Sequence, residues 1–202
     1  MPRVAGQIDE AKTEAILDAA AEIFAERGLA APMEAIARRA GVSKQTLYNR
    51  YRGKNELVRA LVIQKSDQII GSLHARDAAA SPREVLADFA RTLLNLANSK
   101  SPVFLRTIIQ SAGEMPDLAQ EVFQAGPLRS RMELAAYLAE QTRLRRLSVA
   151  EPEQAAEFFA GMVSGQRQLR GLLGLSQPMS PEQIDRLAQE AADRFVRAYA
   201  PS

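Results

Sequence analysis

Apolar positions recur along the chain at intervals of three and four residues, the spacing of a helix face, and no stretch shows the strict alternation of a half-buried strand. After Glu14 the sequence sets Ile16, Leu17, Ala20, Ile23 and Phe24 on one stripe, and Gly28 offers a left-handed stop with Leu29 as its apolar neighbour. Leu57, Leu61, Ile69, Ile70 and Leu73 continue the spacing through a long later segment. Pro82, Pro102, Pro152 and Pro181 each follow a residue suited to precede a helix (Ser81, Ser101, Glu151 and Ser180). A first helical position tolerates proline because its amide has no intrahelical partner anyway. Ser81 with Glu84, and Ser180 with Gln183, have capping-box spacing. Gly126-Pro127 reads as the end of one helix and the start of the next. The pattern predicts helices near 9–27, 33–39, 43–50, 54–75, 82–98, 102–112, 116–125, 127–146, 152–173 and 181–199, an all-α protein with short connections.

Composition narrows the chemistry. The chain has 202 residues, of which 47% are apolar and 25% charged, enough to build a core. It has no cysteine, which excludes disulfides, thiol catalysis and iron–sulfur clusters. A single histidine, His74, argues against a histidine-based metal site or catalytic triad, so neither cofactor nor metal is expected. No uncharged apolar run approaches the roughly 18–20 residues that cross a bilayer, and the N-terminus lacks a signal core. The expected compartment is the cytoplasm.

The net charge of +2 hides a local imbalance. Residues 36–59 carry Arg38, Arg39, Lys44, Arg50, Arg52, Lys54 and Arg59 against Glu56 alone, whereas residues 1–35 carry three basic and seven acidic side chains. One short basic segment in an otherwise balanced chain suits a polyanion, although a solvated face would look the same on charge alone.

Residues 33–51 of that region read Met-Glu-Ala-Ile-Ala-Arg-Arg-Ala-Gly-Val-Ser-Lys-Gln-Thr-Leu-Tyr-Asn-Arg-Tyr. Two short helices flank a turn at Ala40-Gly41-Val42. Ser43 is the expected N-cap of the second, its hydroxyl accepting a free backbone amide. Ile36, Ala37, Ala40, Val42 and Leu47 would face inward, and the small alanines allow close approach. This is the layout of a helix-turn-helix, whose second helix enters the DNA major groove. Left outward are Lys44, Gln45, Thr46, Tyr48, Asn49, Arg50 and Arg52, a set that suits phosphates and base edges. Lys44 and Lys54 sit near helix starts, where the dipole disfavours a cation and a phosphate would offset the cost.

Ala35-Ile36-Ala37, Gly41-Val42-Ser43-Lys44-Gln45-Thr46-Leu47-Tyr48, Tyr51 and Lys54-Asn55-Glu56-Leu57 together resemble the DNA-binding signature of the tetracycline-repressor (TetR) family of bacterial regulators, as does Phe24-Ala25-Glu26-Arg27-Gly28 before them. Gly126-Pro127, the Leu134–Gln141 stretch and Phe158-Phe159-Ala160-Gly161-Met162 resemble one branch of the family's C-terminal domains. The resemblance implies an N-terminal DNA-binding domain, 1–55, and a larger helical domain, 56–202, for dimerisation and effector binding. Carried over by position, Thr46, Tyr48 and Lys54 would contact phosphates, Lys44, Gln45 and Asn49 would face bases, and Arg50 could do either. Tyr51 would pack inside the small domain. Where relatives often have Thr or Ser, this chain has Ala31-Pro32, so the helix from 33 lacks a hydroxyl cap worth about 1 kcal/mol.

The segment 152–173 is apolar on more than one face and the last helix carries its own stripe. Phe158, Gly161, Gly165, Leu169 and Leu172, with Leu187, Ala191 and Phe195, are therefore the expected dimer interface, although a wide monomer core would read alike. Phe89, Leu93, Phe104, Ile108, Phe123, Met132, Tyr137 and Met162, with Gln166 as a polar group, are the candidate effector-pocket lining, at a spacing that plain core packing also produces. The expected function is a TetR-type repressor that binds a palindromic double-stranded operator as a homodimer and is released by a small molecule. An effector-independent activator or architectural DNA-binding protein is the alternative. An all-α enzyme is remote, since no catalytic constellation is present.

Overall fold

The computed structural model describes residues 5–77, 79–98, 108, 109, 113–175 and 177–201. They form α1 (Ala5–Arg27), α2 (Met33–Arg39), α3 (Lys44–Arg50), α4 (Lys54–His74), α5 (Pro82–Asn98), α6 (Pro116–Phe123), a π-helical turn (Gln124–Leu128), α7 (Arg129–Arg143), α8 (Pro152–Ser164), α9 (Arg167–Leu172) and α10 (Pro181–Ala198). Of the helix expected at 102–112, only the helical residues 108 and 109 are among those described; Phe104 is not.

Two apolar clusters organise the chain. The first joins Ile16, Ile23 and Phe24 of α1 to Ile36 of α2, Leu47 of α3 and Leu57 and Leu61 of α4, and takes in Ile108, Leu118 and Val122 from the later chain. The second joins α4, α5, α7, α8 and α10 around Phe89, Leu134, Phe159 and Phe195. Phe159 and Phe195 meet edge to face, with ring centroids 5.0 Å apart, a geometry that adds to the area they bury. α4 contributes to both clusters, with Leu57 and Leu61 in the first and Ile69 and Leu73 in the second.

The helix starts follow the local chemistry. Ser180 and Gln183 close a capping box at α10, and Ser81 and Glu84 exchange the corresponding bonds at α5. α2 begins without a side-chain cap, as Ala31-Pro32 predicts, because the N-cap position is Pro32, which has no side-chain acceptor.

Two expectations are corrected. Gly126-Pro127 does not separate two helices. The chain passes from α6 to α7 through the π-helical turn, with Pro127 inside it. A wider turn relieves the clash of a proline ring with the carbonyl four residues back, so the helix continues where periodicity suggested a stop. The segment 152–173 is also not one helix. It breaks at Gly165, where φ is 49° and ψ is −136°, a conformation outside any helix.

Candidate nucleic-acid interface and inner cavity

Gly41 makes the turn between α2 and α3 with φ of 67°, and the Ser43 hydroxyl oxygen then accepts the Thr46 amide at 3.0 Å. The same oxygen lies 2.8 Å from Thr46 Oγ1, so cap and first turn hold each other. Leu47 is fully buried beneath α3, which turns the remaining face outward. Lys44, Gln45, Tyr48 and Asn49 are exposed there. Gln45 Nε2 donates to Asn49 Oδ1 at 2.7 Å, pairing two amides along one line of the helix. The Lys44 ammonium stands 5.6 Å from the centroid of the Tyr48 ring, within cation–π range.

Acidic residues of the preceding helices meet the basic segment. Glu34 of α2 lies 2.5 Å from Lys44 Nζ. That hydrogen bond pushes the Lys44 ammonium above its ordinary range and holds the Glu34 carboxyl below the usual carboxylate range. Arg39 is clamped by Glu26 and Glu22 of α1, which raise its pKa. The acidic stretch 1–35 and the basic segment are thus partly each other's partners, which residue counts could not reveal. Exposed Arg38, Arg52 and Arg59 form no ion pair with a described residue.

Two expected contact residues are placed differently from α3's open face. Arg50 is half-buried and donates to Thr13 Oγ1 of α1 at 2.6 Å, so it ties α3 to α1. Its position at the inner edge of the helix end, a turn past Leu47, accounts for this. Lys54 is half-buried and donates to the Ala30 carbonyl at 3.2 Å, beside the start of α2. Tyr51 is buried as expected, which raises its phenol pKa.

Between α4, α5, the π-helical turn and α8 lies a mainly apolar cavity of about 310 Å³. Phe89, Leu93, Ile108 and Leu172 line it, together with Val62 and Ile69 of α4 and Gly126 and Pro127 of the π-helical turn. Its wall includes Ser66 and Ser130, whose hydroxyl oxygens are 2.9 Å apart and buried. Lys65, Arg131 and Arg167 add positive charge. Sequence reading missed the serines because single polar residues on apolar faces have no periodic signature.

Several pocket candidates lie elsewhere. Phe123, Met132 and Met162 are exposed at 50%, 43% and 42%, and Gln166 is exposed too. Tyr137 packs against the second cluster, where burial pushes its phenol pKa up to about 12. Helical spacing gave the right helices here, but not the face each residue takes.

The dimer candidates divide in the same way. Phe158 and Leu169 are each 56% exposed, and Leu173 is 62% exposed. Gly161 and Gly165 lie open beside them. Ala191 and Phe195 instead fill the subunit's own core, and Leu187 is half-buried against it. The reason is that α10 turns its apolar stripe onto α5 and α8, where Arg91 binds Asp185 at 2.5 Å and Arg83 binds Asp193.

Residues 16–61 match the model of the bacterial regulatory proteins of the tetR family. Residues 84–201 match that of the AefR-like transcriptional repressor C-terminal domain. The chain belongs to the TetR family. It is a DNA-binding transcriptional regulator and not an enzyme. A TetR-family transcriptional regulator of Mesorhizobium loti is 26% identical with a TM-score of 0.78, over 94% of this chain and 96% of that one. The flavonoid-responsive regulator FrrA is 33% identical with a TM-score of 0.68, over 94% of this chain and 97% of its own. A TetR regulator of Agrobacterium tumefaciens shares the fold at 22% identity, a TM-score of 0.71 and 95% coverage of both chains. No curated protein matches. Among the described residues no helix is long and apolar enough to cross a membrane.

Proposed function

We propose that this TetR-family regulator is a repressor that binds a palindromic operator as a homodimer and leaves it when a small, largely apolar molecule fills the inner cavity. The observation that carries the DNA-binding half is the outward face of α3. Lys44, Gln45, Tyr48 and Asn49 are exposed together on a short helix fixed by the Ser43 cap and the buried Leu47. In this reading Lys44, Gln45 and Asn49 meet base edges, Thr46 and Tyr48 settle on phosphates, and Lys54 supports the backbone contact near α2. Arg50 holds α3 in place. The site of action is the cytoplasm, with the DNA.

The dimer is supported by Phe158, Met162, Leu169 and Leu173, which leave apolar surface open on α8, on α9 and just beyond it. A two-fold pair would set two copies of α3 about 34–36 Å apart, one turn of DNA. The effector half is supported by the cavity, whose wall includes four residues of α4, and by the name of the relative FrrA, a flavonoid-responsive regulator. A ligand acts only through different affinity for two arrangements of the protein. One that changes the tilt of α4 changes the spacing of the two α3 helices.

The test is operator binding by Lys44→Ala combined with Tyr48→Ala. Specific binding is expected to vanish while the unfolding curve stays that of the parent. Retained specific binding would refute the assigned surface. Sedimentation at micromolar concentration tests the dimer, and a monomer throughout would overturn it.

A further inference from the structure

A second depression adjoins the inner cavity. It measures about 540 Å³ and runs between the end of α5, α9 and the first turns of α10. Leu94, Ala97 and Arg167 belong to the walls of both. Unlike the cavity, this groove is lined largely by polar and charged side chains, among them Arg167, Arg170 and Arg186. None of these three forms an ion pair or hydrogen bond through its guanidinium with a described residue, whereas most other C-terminal arginines are engaged. Arg76, Arg83, Arg91, Arg131, Arg143 and Arg194 all have acidic partners. The groove's one carboxylate, Glu190, is held by Arg194. Two of its other polar groups also have structural work: Asn98 bonds the backbone of Met179, and Gln183 closes the α10 capping box. Three cations are left over.

We propose that the effector is a two-part molecule, with an apolar body in the inner cavity and a bulky phosphorylated head in this groove, gripped by Arg167, Arg170 and Arg186. The proposal builds on the effector reading of the cavity. Size selects the head. A lone carboxylate would leave most of a groove of about 540 Å³ empty, whereas a phosphorylated head larger than the groove can seat its phosphates among the exposed arginines and run on into solvent. Chemistry selects it too, because guanidinium forks match phosphate oxygens two at a time. Arg167, on both walls, stands where body and head join.

The experiment is calorimetric titration of the full chain with decanoyl-coenzyme A, free coenzyme A, decanoate and a neutral flavonoid. It is repeated on Arg167→Ala/Arg170→Ala and on Arg186→Ala, with melting curves confirming that the variants fold. The expected result is one decanoyl-coenzyme A per chain, with decanoate and coenzyme A each weaker by about tenfold or more. Each arginine variant should lose about tenfold for the thioester and little for decanoate, the range of one charge-assisted contact. Decanoate binding as tightly as its thioester, or arginine variants that bind the thioester unchanged, would overturn the head site. So would variants that alter only subunit association, since the groove would then be a contact between copies. If the flavonoid fills the cavity and the thioester does not bind, the head site fails and the effector cavity stands. If none of the probes binds, both fail.

Discussion

Lys44 of the recognition helix is ion-paired to Glu34 of the helix before it, Nζ to Oε1 at 2.5 Å. DNA that takes Lys44 must therefore draw it away from a carboxylate already in place. Glu34→Gln is expected to tighten DNA binding by about two- to fivefold at low salt, the range of an exposed ion pair. It should also steepen the salt dependence by up to about one unit, because the parent, on giving Lys44 to DNA, leaves a bare Glu34 carboxylate that takes up a cation and the variant does not. Anisotropy titrations across salt concentrations check both.

The same pair sets a pH dependence. Lys44 holds the Glu34 carboxyl below its ordinary range, so the pair's contribution to stability is present above the ordinary carboxylate pKa and is lost as pH falls through the depressed value. Between pH 6 and 8 the pair does not change. The melting-temperature difference between the parent and Glu34→Gln should therefore be constant across that interval and shrink in acid.

Gly126 sits where a Cβ would lie 2.7 Å from Val62 Cγ1 of α4. Gly126→Ala must push the π-helical turn and α4 apart, at about 1–3 kcal/mol as for other overpacked cores. Val62→Ala in the same chain should recover part of that loss. Chemical unfolding of the two single variants and the double one measures the coupling, and simple additivity would show that the contact is not shared.

Arg50 is a hinge pin in this account. Arg50→Ala should lower stability by about 1–3 kcal/mol through its lost bond to Thr13. It should leave the salt slope of DNA binding unchanged, and a slope reduced by a full unit would return Arg50 to the contact surface.

Much of this was legible in the residues. Prolines at first helical positions and the Ser180–Gln183 box placed the α10 start correctly, and the turn at Gly41 with its Ser43 cap located α3. The misses share a cause: they depend on which neighbour a helix meets. Pro127 reads as a break until a wider turn accommodates its ring. Phe195 and Phe158 look equally apolar, yet one fills the core and the other is open. The acidic α1 looks like a solvated helix until Glu22 and Glu26 are seen holding Arg39. Periodicity fixes a stripe, and only packing says what the stripe faces.

Selection of bound duplexes from a random pool tests the central claim most directly. The account predicts enriched sequences with two inverted half-sites about one helical turn apart, lost in Lys44→Ala/Tyr48→Ala. A pool that stays random at low ionic strength, while the protein remains folded, would contradict it.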